Sequence, residues 1–127
     1  MADKTVTQKL LIKAGYRVLF VHPPPGYIES LTDLPADVVI AAGPDDPGPF
    51  DLIQAFVTSQ AELAAQLAGL AGRRKPKGLL WITYPKGAAK IKSDFHRDTI
   101  WAYAQTIGLA AVAMVAVDEM WSAMRLK

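Results

Sequence analysis

The feature that most constrains the fold is a series of short apolar runs that are almost unbroken by polar residues. Strands buried on both faces have this composition, and such burial is typical of parallel sheets covered by helices. Because helical stretches separate the runs, the sequence predicts an α/β fold with one doubly wound, mostly parallel sheet. The length of 127 residues fits a single domain over residues 1–127. The apolar runs lie at residues 18–21, 38–41, 52–57, 79–84 and 110–117.

The helical stretch after the third run has recognisable ends. Ser59 and Glu62 have the spacing of a capping box, and leucines at helical spacing follow them. Gly72 is expected to end this helix in a left-handed conformation. Two shorter helices are expected over residues 7–15 and 27–31.

A further helix is expected to begin at Ser93 or Asp94 and to end at Gly108. Its helical spacing predicts a buried face. We interpret the three tryptophans as core anchors, one in each of three elements. The predicted buried face comprises Ile100, Trp101, Ala104 and Ile107, and the three tryptophans are Trp81, Trp101 and Trp121.

The chain is expected to close with an antiparallel hairpin. Asp118 and Glu119 predict a turn, after which residues 120–126 return as a strand beside the last apolar run. The edge strand of such a hairpin is free to pair with another chain. A structural homodimer formed through this hairpin is therefore one of the functions that the sequence allows.

Charge is segregated along the chain, although the net charge is only +2. Residues 18–72 contain seven acidic residues and no Lys or Arg, whereas residues 73–97 contain eight basic residues and one acid. These blocks either form two opposite surface patches or neutralise one another across the fold. Residues 73–75, Arg-Arg-Lys, are expected at a helix C-terminus, where cations offset the helix dipole. A net charge this small predicts no nucleic-acid partner.

Several function classes are excluded by composition. The absence of cysteine excludes disulfide scaffolds, thiol nucleophiles and cysteine-ligated zinc. The two histidines are far apart in sequence, so no metal site is predicted. No apolar run suits a membrane span, and residues 1–4 lack the apolar stretch of a signal peptide. We therefore expect a cytoplasmic protein with no membrane partner.

Three segments and the closing hairpin follow one another in a familiar order. Residues 12–19, residues 50–53 and the Lys-Pro-Lys-Gly-Leu-Leu stretch at residues 75–80 resemble the first, fourth and fifth strand entries of class I S-adenosylmethionine methyltransferases. The hairpin resembles the last two strands of that family. The resemblance implies a methyltransferase-like Rossmann fold. Only about ten residues precede Asp51 after the second strand, too few for the third strand and its helix, so a shortened form is expected.

The cofactor signature of that family is altered here. In active members the first strand ends in an acid followed by a glycine-rich turn, but this chain has Phe20 at the acid's position and His-Pro-Pro-Pro-Gly at residues 22–26. Three prolines remove three backbone N–H donors. The second strand runs into Ala-Ala-Gly at residues 41–43, where the family has a carboxylate for the ribose. We therefore expect no cofactor, with Asp45 and Asp46 as the alternative source of a ribose-binding acid.

Three further motifs resemble a family of short bacterial proteins that carry a domain of unknown function. They are Tyr-Pro-Lys-Gly at residues 84–87, Arg-Asp-Thr-Ile-Trp at 97–101 and Val-Asp-Glu-Met-Trp-Ser-Ala at 117–123. This resemblance supports the fold and implies no activity.

Two features give candidate ligand-binding residues. His22 follows the first strand, where open α/β sheets bind ligands, and an imidazole there can bind a ligand or act as a base; a bond to a backbone carbonyl is the structural alternative. Residues 84–94 form a lysine-rich loop that leads into a helix N-terminus, which favours anions. The alternative for this loop is a solvated segment in which Lys90 pairs with Asp94. The candidate site residues are His22, Tyr84, Lys86, Gly87, Lys90, Lys92 and Arg97.

These observations favour a non-catalytic binding module for an anionic small molecule or an acidic protein partner. We predict no catalytic residues, because no serine or acid stands at nucleophile-activating spacing from His22. A divergent S-adenosylmethionine-dependent methyltransferase is the second interpretation, and the homodimer is the third.

Overall fold

A six-stranded sheet organises the chain. The structure is a computed structural model that describes residues 5–41, 48–85, 97–118 and 120–127. The elements are α1 (Val6–Lys9), β1 (Arg17–Val21), α2 (Tyr27–Ser30), β2 (Val39–Ile40), β3 (Phe50–Phe56), α3 (Gln60–Gly72), β4 (Arg74–Pro85), α4 (Arg97–Thr106), β5 (Ala111–Ala116) and β6 (Trp121–Leu126).

The strand order is β2-β1-β3-β4-β6-β5. The first four strands in this order are parallel, and β6 is antiparallel to both β4 and β5. The predicted α/β fold, with a mostly parallel sheet and a C-terminal antiparallel hairpin, is confirmed. Within the described residues β3 is the next strand after β2, which agrees with a shortened form.

Each face of the sheet has its own core, because successive strand residues point to opposite faces. One core joins Ile53 and Ile82 to residues of α3 and α4. The other joins Leu52 and Trp81 to residues around α1 and α2. Burial on both faces is thereby confirmed for β1, β3 and β4.

The two edge strands, β2 and β5, are exceptions to that burial. β2 pairs with β1 alone and its Val39 is 59% exposed, so the prediction of a run buried on both faces at residues 38–41 was wrong. β5 is the other edge of the sheet and pairs with β6 alone. Val112 is 44% exposed and Met114 is 47% exposed. The interpretation of residues 110–117 as another run buried on both faces was wrong, because a strand with one neighbour is only partly covered.

The tryptophan predictions hold in part. Trp81 is buried, and its Nε1–H donates to the Leu10 carbonyl at 3.0 Å. Trp121 is half-buried. Trp101 is 47% exposed and Ile107 is 37% exposed, so placing them on the inner face of the helix was wrong. Ile100 and Ala104, one turn apart, face the sheet; Trp101 is rotated about 100° from Ile100, and Ile107 follows the last residue of α4.

The ends of the helices differ in detail from the predictions. The Ser59 hydroxyl accepts from the Glu62 amide at 3.2 Å, which confirms the cap of α3. Gly72 is the last residue of α3 but has no positive φ, so the predicted left-handed conformation was wrong. Arg73 caps the helix in a right-handed conformation, at φ −91°. α1 is shorter than predicted, because Leu11 turns to φ +66°. α2 is confirmed, and the predicted start at Ser93 or Asp94 lies outside the described residues.

The basic residues after α3 also differ from expectation. Arg73 alone stands at the helix C-terminus, while Arg74 and Lys75 already belong to β4. Lys75 pairs with Asp51 at 3.1 Å, and Arg74 donates to the Leu126 carbonyl at 3.2 Å. For these two residues the helix-dipole explanation was wrong. The Lys75–Asp51 pair instead joins the acidic and basic blocks of the sequence.

Candidate functional site

Four aromatic side chains cover the carboxyl ends of β1 and β3, and we call them the aromatic cluster: Phe20, Tyr27, Phe56 and Trp121. The Tyr27 ring lies 5.9 Å from Phe20 and 4.7 Å from Phe56, and Phe56 lies 5.2 Å from Trp121, all as edge contacts. Phe20, Tyr27 and Phe56 are buried. Edge-to-face pairs of this kind stabilise a core by about 0.5–1.5 kcal/mol each beyond their buried area.

The turn after β1 places Tyr27 in this cluster. Its amide donates to the Pro24 carbonyl at 3.0 Å, closing a tight turn within the proline run. Gly26 then adopts φ +81°, a left-handed conformation that glycine adopts without steric cost. α2 begins at the next residue, which is how Tyr27 comes to lie over the end of β1.

A buried hydrogen-bond chain anchors the Tyr27 ring. The Tyr27 hydroxyl donates to Gln54 Oε1 at 2.7 Å, and Gln54 Nε2 donates to Thr83 Oγ1 at 2.9 Å. Gln54 and Thr83 are fully buried. Burial raises the pKa of Tyr27 from 10.0 to about 12, so the hydroxyl stays a donor at neutral pH.

The hydrogen bonds from Tyr27 through Gln54 to Thr83 were not predicted from the sequence, although a signal for them exists. Gln54 and Thr83 are polar residues inside apolar runs that were predicted to be buried on both faces. Buried polar side chains need hydrogen-bond partners, so two of them on neighbouring strands indicate a network. The third member, Tyr27, has no such signal in the sequence.

His22 lies at the carboxyl end of β1, as predicted. It is exposed, has φ +53°, and borders a cavity of about 240 Å³ together with residues of α3 and Arg73. Its imidazole makes no hydrogen bond with the described part of the chain, so the structural alternative of a bond to a backbone carbonyl has no support there.

Tyr84 and Arg97 lie near each other on the α3 and α4 side of the sheet. The Tyr84 side chain is buried, and its hydroxyl lies 3.1 Å from Met114 Sδ. Burial raises the pKa of Tyr84, and the positive charge of Arg97 acts in the opposite direction. Arg97 itself is exposed.

The structure therefore brings together only part of the predicted site. His22 follows β1 and Tyr84 ends β4, and β3 lies between these strands, which separates their backbones by about 10 Å. Tyr84 does not border the cavity beside His22. Lys86, Gly87, Lys90 and Lys92 lie outside the described residues, as do Asp45 and Asp46.

Across the described ranges, no three His, Asp or Glu side chains come together in a way that suits a metal ion. None of the described helices has the length and apolar character that a membrane crossing requires.

No family model and no curated protein sequence matches the chain. Among solved structures it is similar to the B. subtilis tRNA methyltransferase TrmK, with 13% identity over 100% of this chain and 66% of that chain and a TM-score of 0.58. It is similar to a ribosomal protein L11 methylase from Lactobacillus delbrueckii subsp. bulgaricus, with 14% identity over 96% and 74% of the two chains and a TM-score of 0.61. A protein in the NADB-Rossmann superfamily from Streptococcus agalactiae gives 12% identity over 100% and 69%, with a TM-score of 0.54.

These similarities concern the fold. They confirm the methyltransferase-like Rossmann fold that the strand order and the C-terminal hairpin indicate. The chain spans just under two thirds of TrmK, 66% of its length. The resemblance to the short bacterial family stays a prediction.

Proposed function

We propose that this chain is a binding module on a methyltransferase-like fold, and that it takes an anionic small molecule or an acidic protein partner without using S-adenosylmethionine. The observation that carries the proposal is Tyr27, which packs over Phe20 at the end of β1 and donates to the buried Gln54. In the family that the sequence resembles, an acid and a glycine-rich turn stand at this place.

The residues at the end of β1 do not fit the methyl donor. Three consecutive prolines remove backbone N–H groups that would otherwise be available to its polar end. Phe20 is apolar and buried, so it offers no acceptor for a charged amine. Displacing Tyr27 to make room for the methyl donor would leave the buried Gln54 Oε1 without its hydrogen-bond donor, at a cost of about 1–3 kcal/mol.

Positive charge near α4 supports the anionic ligand. Arg97 is exposed at the described start of α4, close to Tyr84. In sequence, Lys86, Lys90 and Lys92 stand between the last residue of β4 and Arg97. Four cations within twelve residues raise the local concentration of anions and steer their association.

Thermal unfolding in the presence of phosphate, nucleotides, RNA and an acidic peptide tests this surface. We expect the anions to raise the midpoint of unfolding for the native chain and not for Lys86→Ala combined with Lys90→Ala, or for Arg97→Gln. Lys13→Gln is the matched control, since Lys13 is an exposed cation outside this surface. Equal responses from all variants would contradict the proposed surface.

A divergent methyltransferase is the second candidate, and the similarity to two methyltransferase structures favours it. TrmK is a tRNA methyltransferase and the second protein a methylase of ribosomal protein L11. Transfer of a labelled methyl group to tRNA or to ribosomal protein would support this candidate. We expect no transfer above the level of a heat-denatured control.

The exposed β5 edge favours the third candidate, a homodimer. Val112 and Met114 are 44% and 47% exposed, so this strand, which is unpaired on one side, has apolar surface that a second copy of the chain would cover. Light scattering at increasing concentration tests this: a dimer that Met114→Lys converts to a monomer supports an interface at the β5 edge, and a monomer throughout excludes it.

The single-domain organisation and the cytoplasmic location stay predictions from the sequence.

A further inference from the structure

A cavity of about 360 Å³ lies at the amino end of β4, at the other end of the sheet from the aromatic cluster. Residues at the start of β4 and at the end of β6 line it, and none of these residues is acidic. Its volume lies within the range of small-molecule sites, about 300–1,000 Å³. The cationic lining residues are Arg74, Lys77, Arg125 and Lys127.

An irregular segment of β4, residues 75–78, shapes this cavity, and we call it the β4 bulge. Phe50 pairs with Arg74 and Leu52 pairs with Leu79, so the four residues of the bulge stand opposite Asp51 alone. Gly78 folds back on the strand so closely that a Cβ there would lie 2.8 Å from Arg74 Cγ and 2.8 Å from the Phe50 carbonyl oxygen.

Asp51 holds the bulge in place and is not one of the lining residues of the cavity. Its carboxylate accepts from the Arg17 amide at 2.8 Å and pairs with Lys75 at 3.1 Å. Lys75 does not line the cavity, so this carboxylate neutralises a cation outside it. Asp51 therefore does not neutralise the cations that line the cavity.

Arg74 is held in place, and no acidic side chain of the described residues lines the cavity. Arg74 Nη1 donates to the Leu126 carbonyl at 3.2 Å, which holds the guanidinium across the gap between β4 and β6. The side chains of Lys77 and Arg125 make neither a hydrogen bond nor an ion pair with any residue that the structure describes. Cations gathered in a concave surface repel one another, and a multivalent anion relieves that repulsion.

We propose that this cavity is a binding site for a compact phosphate-bearing anion with at least two negative charges, such as a diphosphate group. Arginine binds phosphate oxygens through paired, charge-assisted hydrogen bonds, and two arginines and two lysines match the charge of a diphosphate. The site is independent of the proposed function, because it lies at the amino end of β4, whereas Tyr84 and Arg97 lie at its carboxyl end.

Isothermal titration calorimetry of the native chain with inorganic pyrophosphate and with ADP at low ionic strength tests the site. We expect saturable binding of both, with a Kd below about 1 mM. Equal affinities would identify the diphosphate alone as the recognised group, and tighter binding of ADP would add the nucleoside; both results support the site. Binding of neither probe would overturn it.

Single substitutions locate the binding. Arg125→Gln and Lys77→Gln are each expected to weaken pyrophosphate binding by about tenfold or more, while Lys13→Gln changes it less than twofold. Lys77 and Lys13 are exposed, so these variants fold if the native chain does, and thermal unfolding checks Arg125→Gln. Equal weakening by all three variants would show non-specific attraction and refute the site. Weakening by Arg97→Gln alone would assign the anion to the proposed surface near α4 and also overturn this inference.

Discussion

The hydroxyl of Tyr27 anchors the aromatic ring that packs against Phe20 at the carboxyl end of β1. It supplies the donor for Gln54, a side chain that the sheet buries completely. A buried amide without a partner loses the hydrogen bonds that it makes to water in the unfolded chain. Phe20 and Phe56 meanwhile hold the Tyr27 ring from two sides. The hydrogen bond and the packing therefore stabilise the same closed arrangement.

Tyr27→Phe separates these two contributions, because it keeps the ring and removes the hydroxyl. We expect the free energy of unfolding to fall by about 1–3 kcal/mol, since the Gln54 carbonyl is left buried without a donor. Urea denaturation measures this change. Tyr16→Phe is the matched control, as Tyr16 is only partly buried and its hydroxyl has no partner within the described residues, and it should cost less than about 0.5 kcal/mol. Equal effects of the two substitutions would contradict the role of the Gln54 bond.

The same hydroxyl gives the stability a dependence on alkaline pH. Burial raises the pKa of Tyr27 from 10.0 in the unfolded chain to about 12 in the folded one. Below about pH 10 both states keep the proton; between about pH 10 and 12 only the unfolded state releases it, so the free energy of unfolding falls as pH rises. Urea denaturation at about pH 9 and about pH 11 should show a smaller fall for Tyr27→Phe than for the native chain. Tyr84, whose pKa is also raised, retains part of the fall in both.

Among the elements, β4 connects the cavity beside the β4 bulge with the opposite end of the sheet, where the aromatic cluster lies. Its first residues form the β4 bulge, and its last residues carry Thr83 and Tyr84 to the opposite edge of the sheet. The bulge depends on one glycine, because the Cβ of any other residue at position 78 would meet backbone atoms of β3 and β4.

Gly78→Ala is expected to lower the free energy of unfolding by about 1–3 kcal/mol, the usual cost of forcing an extra methyl group into packed structure. Gly69→Ala is the matched control. Gly69 lies within α3, and no atom comes within 4 Å of the place that an alanine methyl group would take, so alanine there should raise stability by about 0.5–1 kcal/mol. Thermal or urea denaturation measures both, and a stabilising Gly78→Ala would contradict the described bulge.

The elements also show what sequence patterns can and cannot predict. The apolar runs of β1, β3 and β4 identify these strands, because burial on both faces leaves no polar alternation. The same pattern misplaces β5, since an alanine- and valine-rich run has the same composition at an edge as in the interior. Helical spacing misplaces Trp101 for a related reason: it gives the period of a helix, while the neighbours in space decide which apolar residues are covered.

At the level of the whole molecule, the sheet has a methyltransferase-like strand order, and aromatic residues cover the carboxyl ends of β1 and β3. The α/β class, the mostly parallel sheet and the C-terminal hairpin could be predicted from the runs, and the sequence itself shows Phe20 where the family it resembles has an acid. The position of Tyr27 could not be predicted, because it depends on contacts between residues 27, 54 and 83, which are distant in sequence. Among the described residues, cationic side chains are exposed at Arg97 and line the cavity beside the β4 bulge.

Isothermal titration calorimetry with S-adenosylmethionine tests the claim that this end of the sheet does not bind the methyl donor. With the Tyr27 ring over Phe20 and three prolines in the preceding turn, we expect no binding tighter than about 1 mM. Saturable binding with a Kd in the micromolar range would contradict the claim and establish this end of the sheet as a cofactor site.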